Sequence, residues 1–218
     1  MGKPFLRGQF HQAAFFVAIG ACAILITLSV VNGYGLKTIL AAFVYSLSLI
    51  GLFGISALYH RLQWGDKGRM WMRRLDHSAI FILIAGTGTP LFLLGIRGDI
   101  GSKLLILVWI AAGIGILQSL FWVRAPKWVS AVLCVAVGWI VVPYLSEIKE
   151  VLGIHSVVFL LIGGIIYTLG ALVYALKRPN PIPKVFGYHE IFHILVIVAA
   201  IFHFIVVFKL LTTISTGP

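Results

Sequence analysis

Charge is what this chain has least of. Asp, Glu, Lys and Arg make up 11% of its 218 residues, where a soluble domain carries about 25%. Beside a hydrophobic content of 61%, gathered in long runs and not spread at core periodicity, that scarcity excludes a water-soluble fold. Cysteine is nearly absent. Cys22 and Cys134 both fall inside apolar runs, which excludes a disulfide framework or a thiolate zinc site and leaves them as small buried hydrophobes. An internal repeat is also missing, and an odd number of spans does not divide into equal halves, which counts against an inverted-repeat transporter. The formal charge of +11 invites a nucleic-acid reading. That reading fails because the basic residues sit in short connections and form no stripe, so no nucleic-acid partner is expected. They serve as topology signals and contacts for anionic lipid headgroups.

What the chain does have is seven apolar runs, at about 12–31, 38–59, 76–96, 104–123, 128–145, 153–176 and 188–209. Each is long enough to cross a hydrocarbon core of about 30 Å as a helix, and helices satisfy their own backbone groups in lipid. The expectation is an all-α integral membrane protein, one seven-helix transmembrane domain over residues 1–218, in the plasma or inner membrane. The first run follows Lys3 and Arg7 as a signal peptide would, but it continues past Cys22 to Val31 and reads as a retained helix. Orientation follows from basic residues. One set of connections holds 12 of them, including Arg61, Lys67, Arg69, Arg73, Arg74, Arg124 and Lys127; the opposite set holds 5. This bias predicts a cytoplasmic N-terminus and an extracytoplasmic C-terminus. Gly113, Gly115, Gly163, Gly164 and Gly170 are expected at close helix contacts. Pro90 and Pro143 are expected to kink or loosen their spans. The Pro-rich stretch 177–187 cannot be helical throughout.

With this topology, chemically capable residues gather at one face. His60 closes the second span, Asp76 opens the third, and His189 and His193 open the seventh. The last two are one helical turn apart and share a face, the spacing a metal needs. Three neutral imidazoles with an open fourth position describe a catalytic zinc site, where a water would lose its proton near neutral pH. Asp76 could take that proton or orient an imidazole; taken alone it is a helix cap. Ser56, one turn before His60, could hydrogen-bond the water or a substrate oxygen; taken alone it is a small residue at a helix contact. Glu190 completes the formal pattern His-Glu-x-x-His of metalloproteases. No soluble catalytic domain surrounds it, so it reads as a helix-terminal carboxylate facing water or a basic loop. His11 opens the first span on the same side and could support the site. His77 points about 100° away from Asp76. His203 lies too deep to share the metal and is expected to hydrogen-bond across the bundle.

These residues resemble a known family. Ser56-Ala57-Leu58-Tyr59-His60, Arg74-Leu75-Asp76-His77-Ser78-Ala79-Ile80-Phe81, Ile84-Ala85-Gly86-Thr87-Gly88-Thr89-Pro90 and the closing His189-x-x-x-His193 with Phe202-His203-Phe204 are similar to the haemolysin III family. That family belongs with the progestin and adipoQ receptors. The resemblance implies seven helices and a cytoplasm-side zinc with His60, His189 and His193 as ligands, and Asp76 and Ser56 in the polar shell around the metal's water. It also implies a link to ceramide-amide hydrolysis, cell lysis or membrane-lipid homeostasis. Many relatives lack an acid at the Glu190 position, which argues against Glu190 as an essential base.

The leading expectation is a Zn2+-dependent membrane hydrolase of a lipid amide or ester, with membrane lipids as substrate and partner. A zinc-stapled sensor is the alternative. A haemolysin-type pore ranks third, because spans with so little charge make a poor lining for water.

Overall fold

A computed structural model describes residues 4–182 and 184–213; Lys3, counted among the basic residues above, lies outside them. Seven helical segments are long and apolar enough to cross a membrane. They are α1 (Gln9–Val31), α2 (Leu36–Arg61), α3 (Asp66–Gly95), α4 (Asp99–Phe121), a composite fifth span, α7 (Ile154–Leu176) and α8 (Tyr188–Thr213). The fifth span joins α5 (Lys127–Gly138) to α6 (Leu145–Leu152) through a 3₁₀ segment, Trp139–Tyr144. Among the described residues there is no strand, only an isolated bridge between Ile182 and Phe186 in the Pro-rich connector.

The helices form a ring in chain order that closes where α8 meets both α7 and α1, while α3 also touches α8. α3 is the hub, with 72% of its apolar window buried. Two cores share α3 and α8. One packs Phe81, Phe92, Val108, Ile148, Leu160 and Leu210; the other packs Cys22, Tyr45, Leu52, Leu83, Ala200 and Val207. Outward positions such as Phe16, Val17, Ile106 and Ile165 remain exposed, as a lipid-facing surface requires. Small residues admit the close approaches. A Cβ on Gly86 would collide with Ser48, one on Gly115 with the Phe81 ring, and one on Gly163 with His203. Gly113, expected at such a contact, faces open space instead.

Two boundaries depart from the sequence reading: α3 begins earlier, and the fifth span runs on to Leu152. α3 starts at Asp66, with Gly65 as its N-cap residue, so Asp76 lies well inside the helix and caps nothing. Hydropathy misses this stretch because Lys, Arg and Met make good helix without being uniformly apolar. The fifth span is interrupted where Pro143 lacks the backbone donor that an α-helix needs, and the chain winds as 3₁₀ there. α3 stays one continuous helix across Pro90.

Candidate metal centre

All the histidines singled out at one face do converge, at the end of the bundle that carries the α2–α3, α4–α5 and α7–α8 connections. α2 stops at Arg61 because Leu62 turns extended, leaving His60 on the last turn. α8 starts behind Gly187, whose N–H donates to Glu190 Oε2 at 2.8 Å. Tyr188 N–H donates to Asn180 Oδ1 at 3.0 Å. Two orphan donors of the first turn are thereby satisfied, and His189 and His193 are aimed inward one turn apart.

His60 Nε2 and His189 Nε2, 129 positions apart in sequence, face each other at 3.0 Å. One ligand atom from each of His60, His189 and His193 falls within 4.8 Å of the others. All three rings are buried, His193 with only 1% exposure. Asp76 Oδ2 is 3.9 Å from His60 Nε2, and Ser56 lines the same cavity as Asp76. His193 Nδ1 has no hydrogen-bond partner among protein atoms. A buried polar atom left in that state costs about 1–3 kcal/mol.

This donor set fits a small divalent ion. Zinc takes imidazole nitrogens at about 2.0–2.1 Å in a tetrahedron, which sets neighbouring nitrogens roughly 3.3 Å apart. The His60–His189 separation is close to that edge. Three imidazole nitrogens suit a transition metal such as zinc better than hard cations that prefer oxygen.

Glu190 takes the second of the two surroundings expected for a helix-terminal carboxylate, a basic segment. It does not face water; it has no exposed surface, accepts from Gly187, and forms an ion pair with Arg7. Its carboxylate is committed to the α8 N-terminus and to Arg7, so it is not free to act as the base of a His-Glu-x-x-His site. His203 does bond across the bundle, to the Leu160 carbonyl at 3.2 Å. His77 turns away to the Tyr174 hydroxyl at 3.3 Å.

Three participants had no weight, or little, in the sequence. His11 stacks on His193, with centroids 3.8 Å apart and planes at 8°, and holds the ring from behind. Gly8, at φ 82, caps α1 so tightly against α2 that a Cβ there would come within 2.6 Å of the His60 Cβ. Arg7 belongs to the segment that crosses the mouth, tied by Phe5 N–H to the Lys184 carbonyl at 3.1 Å and Leu6 N–H to the Val185 carbonyl at 3.3 Å. A signal in the sequence is Gly8, three residues before His11.

From this centre an apolar cavity of about 170 Å³ runs into the bundle, with His193 and Asp76 at one end and His203 and Trp139 at the other. Fold and site together define a multi-pass, seven-helix membrane protein with a buried three-histidine donor set at one membrane face. The chain belongs to the haemolysin III family: its residues 1–204 match the family described as Haemolysin-III related. It is 33% identical over 206 residues to Hemolysin-3 of Bacillus cereus, covering 94% of this chain and 90% of the relative. It is 30% identical over 184 residues to the Hemolysin-3 homolog of Bacillus subtilis (strain 168), covering 84% and 82%. A more distant similarity, 24% over 176 residues, joins it to the monocyte to macrophage differentiation factor of Homo sapiens, covering 79% and 71%.

Proposed function

We propose that this protein is a zinc-dependent hydrolase of a lipid amide or ester, with its metal centre at the cytoplasmic leaflet, where the basic-residue bias puts it. The observation that carries this reading is the apolar cavity that opens onto the histidine triad. A metal that only joined helices would need no such channel. Held by His60, His189 and His193, zinc would supply Lewis-acid polarisation of a carbonyl and activation of water at neutral pH.

The remaining work falls to the chain. The cavity takes an extended alkyl chain along Leu91, Val137 and Leu160 and brings its carbonyl to the triad. Asp76, the carboxylate nearest the triad and not tied up in an ion pair with Arg or Lys, accepts the proton of the attacking water and returns it to the leaving group. Ser56, which lines the same cavity, hydrogen-bonds the water or a substrate oxygen. His11 backs the His193 ring, and the Arg7–Glu190 pair fixes the turn that presents His189. Apolar walls exclude bulk water from the reaction.

The test is lipid mass spectrometry on purified zinc-loaded protein offered a panel of short-chain ceramides and related amides and esters. Wild type should cleave at least one, and Asp76→Asn should keep its zinc and cleave it at least about a hundredfold more slowly. Equal inertness of both over the panel would sink the hydrolase. It would favour the reading in which zinc links the end of α2 to the start of α8 in a sensor of membrane state.

A further inference from the structure

A second hollow lies at the same end of the bundle. Its walls are the first turns of α3 and the end of α4 with the chain that follows. They enclose about 540 Å³ and carry four guanidinium groups, Arg69, Arg73, Arg74 and Arg124, against one carboxylate, Asp66. No ion pair among the described residues engages any of the four. The Arg74 guanidinium lies 4.6 Å over the Trp71 ring, yet its buried Nε has no hydrogen-bond partner. Like charges do not gather around a hollow without cost, so this arrangement calls for an anion. Guanidinium forks match phosphate oxygens two at a time.

Depth says which phosphate. α3 has 30 residues, about 45 Å at 1.5 Å each, against a hydrocarbon core of about 30 Å. Its first ten residues therefore project beyond the core into the headgroup layer. The outer lip of the hollow is aromatic: Phe121 is 82% and Trp122 53% exposed, the amphipathic rings that settle at the membrane interface. A site at headgroup depth, basic within and edged by exposed aromatic rings, suits a lipid better than a solute.

We propose that this hollow binds the phosphate of an anionic phospholipid in the leaflet beside the metal centre. The site is independent of the hydrolase reading: none of its arginines belongs to the triad, and occupancy requires no metal. Because Arg73 stands one turn before Asp76 on α3, a bound headgroup would brace the helix that carries the carboxylate.

The experiment is native mass spectrometry of the full chain, titrated in micelles with phosphatidylglycerol or phosphatidylcholine. Wild type should bind the first phosphatidylglycerol at least tenfold more tightly. Arg74→Gln with Arg124→Gln should weaken that binding roughly 30-fold, two basic groups at the headgroup plane having been removed. Arg97→Gln with Lys103→Gln, which removes the same charge from the opposite end, should leave it within about twofold. Arg74→Lys with Arg124→Lys keeps charge and fold but not the fork, and should fall between. Equal affinity for the two lipids, or equal loss in both glutamine pairs, would overturn the proposal. So would displacement of the lipid by millimolar inorganic phosphate or glycerol phosphate, which would mark the hollow as a site for soluble phosphate.

Discussion

Removing the Arg7 charge tests the tie between the N-terminal segment and the start of α8. Glu190 is wholly buried and Arg7 is 19% exposed at its side chain. Arg7→Met keeps length and apolar stem but strands a carboxylate without its counter-charge. Breaking a buried pair in this way costs about 3–5 kcal/mol. Two features set the expected value at the low end. Arg7 retains some solvent, so part of its attraction is already screened. Glu190 also keeps the Gly187 N–H at 2.8 Å. The expected loss is therefore about 3 kcal/mol. Glu190→Gln should cost less, about 1–2 kcal/mol, because its amide oxygen still accepts from Gly187 and the freed Arg7 can turn toward water.

The pair of substitutions distinguishes a real ion pair from two unrelated defects. If the charges interact, Arg7→Met with Glu190→Gln should destabilise by at least about 1.5 kcal/mol less than the sum of the single changes, as residues in contact do. Reversible unfolding in mixed detergent micelles measures all four corners of the cycle. Zinc content should persist in the double variant, since neither residue is a ligand. Strict additivity, or an Arg7→Met cost below about 0.5 kcal/mol, would refute the buried pair and with it the strap across the mouth.

Three further outcomes follow from the site and its packing. His193→Ala should abolish stoichiometric zinc in elemental analysis, whereas His203→Gln, whose parent ring bonds only the Leu160 carbonyl, should retain it. If Asp76 moves the proton, Asp76→Asn should lower lipid turnover by about 10²–10⁴-fold at unchanged zinc content; equal turnover in both proteins would remove Asp76 from the chemistry. Gly86→Ala should destabilise by about 1–3 kcal/mol through overpacking against Ser48, and Ser48→Gly in the same chain should recover much of that loss in the unfolding assay.

Most of the architecture was legible because lipid leaves the chain so few options. An apolar run of about 20 residues has to be a helix, and alternating helices carry His60, Asp76 and the His189/His193 pair to one end without any knowledge of tertiary contacts. Legibility stopped where a side chain has two good partners. Glu190 reads from sequence as a terminal carboxylate facing water or a basic loop, and nothing local reveals that its partner is Arg7, 183 positions away. The start of α3 was missed for a related reason. Hydropathy detects what lipid solvates, while the first ten residues of that helix include Asp66, Lys67, Arg69, Arg73 and Arg74. His11 was only a candidate because stacking on His193 depends on how α1 leans on α8, which no periodicity encodes.

The fifth span connects these features to access. α5 buries only Val137 and the 3₁₀ segment buries none of its residues, so this is the least anchored wall of the bundle. It is also a wall of the cavity, through Ser130, Cys134, Trp139 and Val142. A visible tie on this wall is the hydrogen bond from Trp139 Nε1 to Thr168 Oγ1 at 3.0 Å. The mouth beside the triad, by contrast, is crossed by the Arg7 strap and the 177–187 connector. On the proposed reading, a lipid therefore arrives sideways past the fifth span, tail first, and not through the mouth. Trp139→Phe removes the tie but keeps most of the ring volume. It should raise turnover or lower KM for a long-chain lipid while leaving a short-chain one unaffected. Identical kinetics for long and short chains in both proteins would place the route elsewhere.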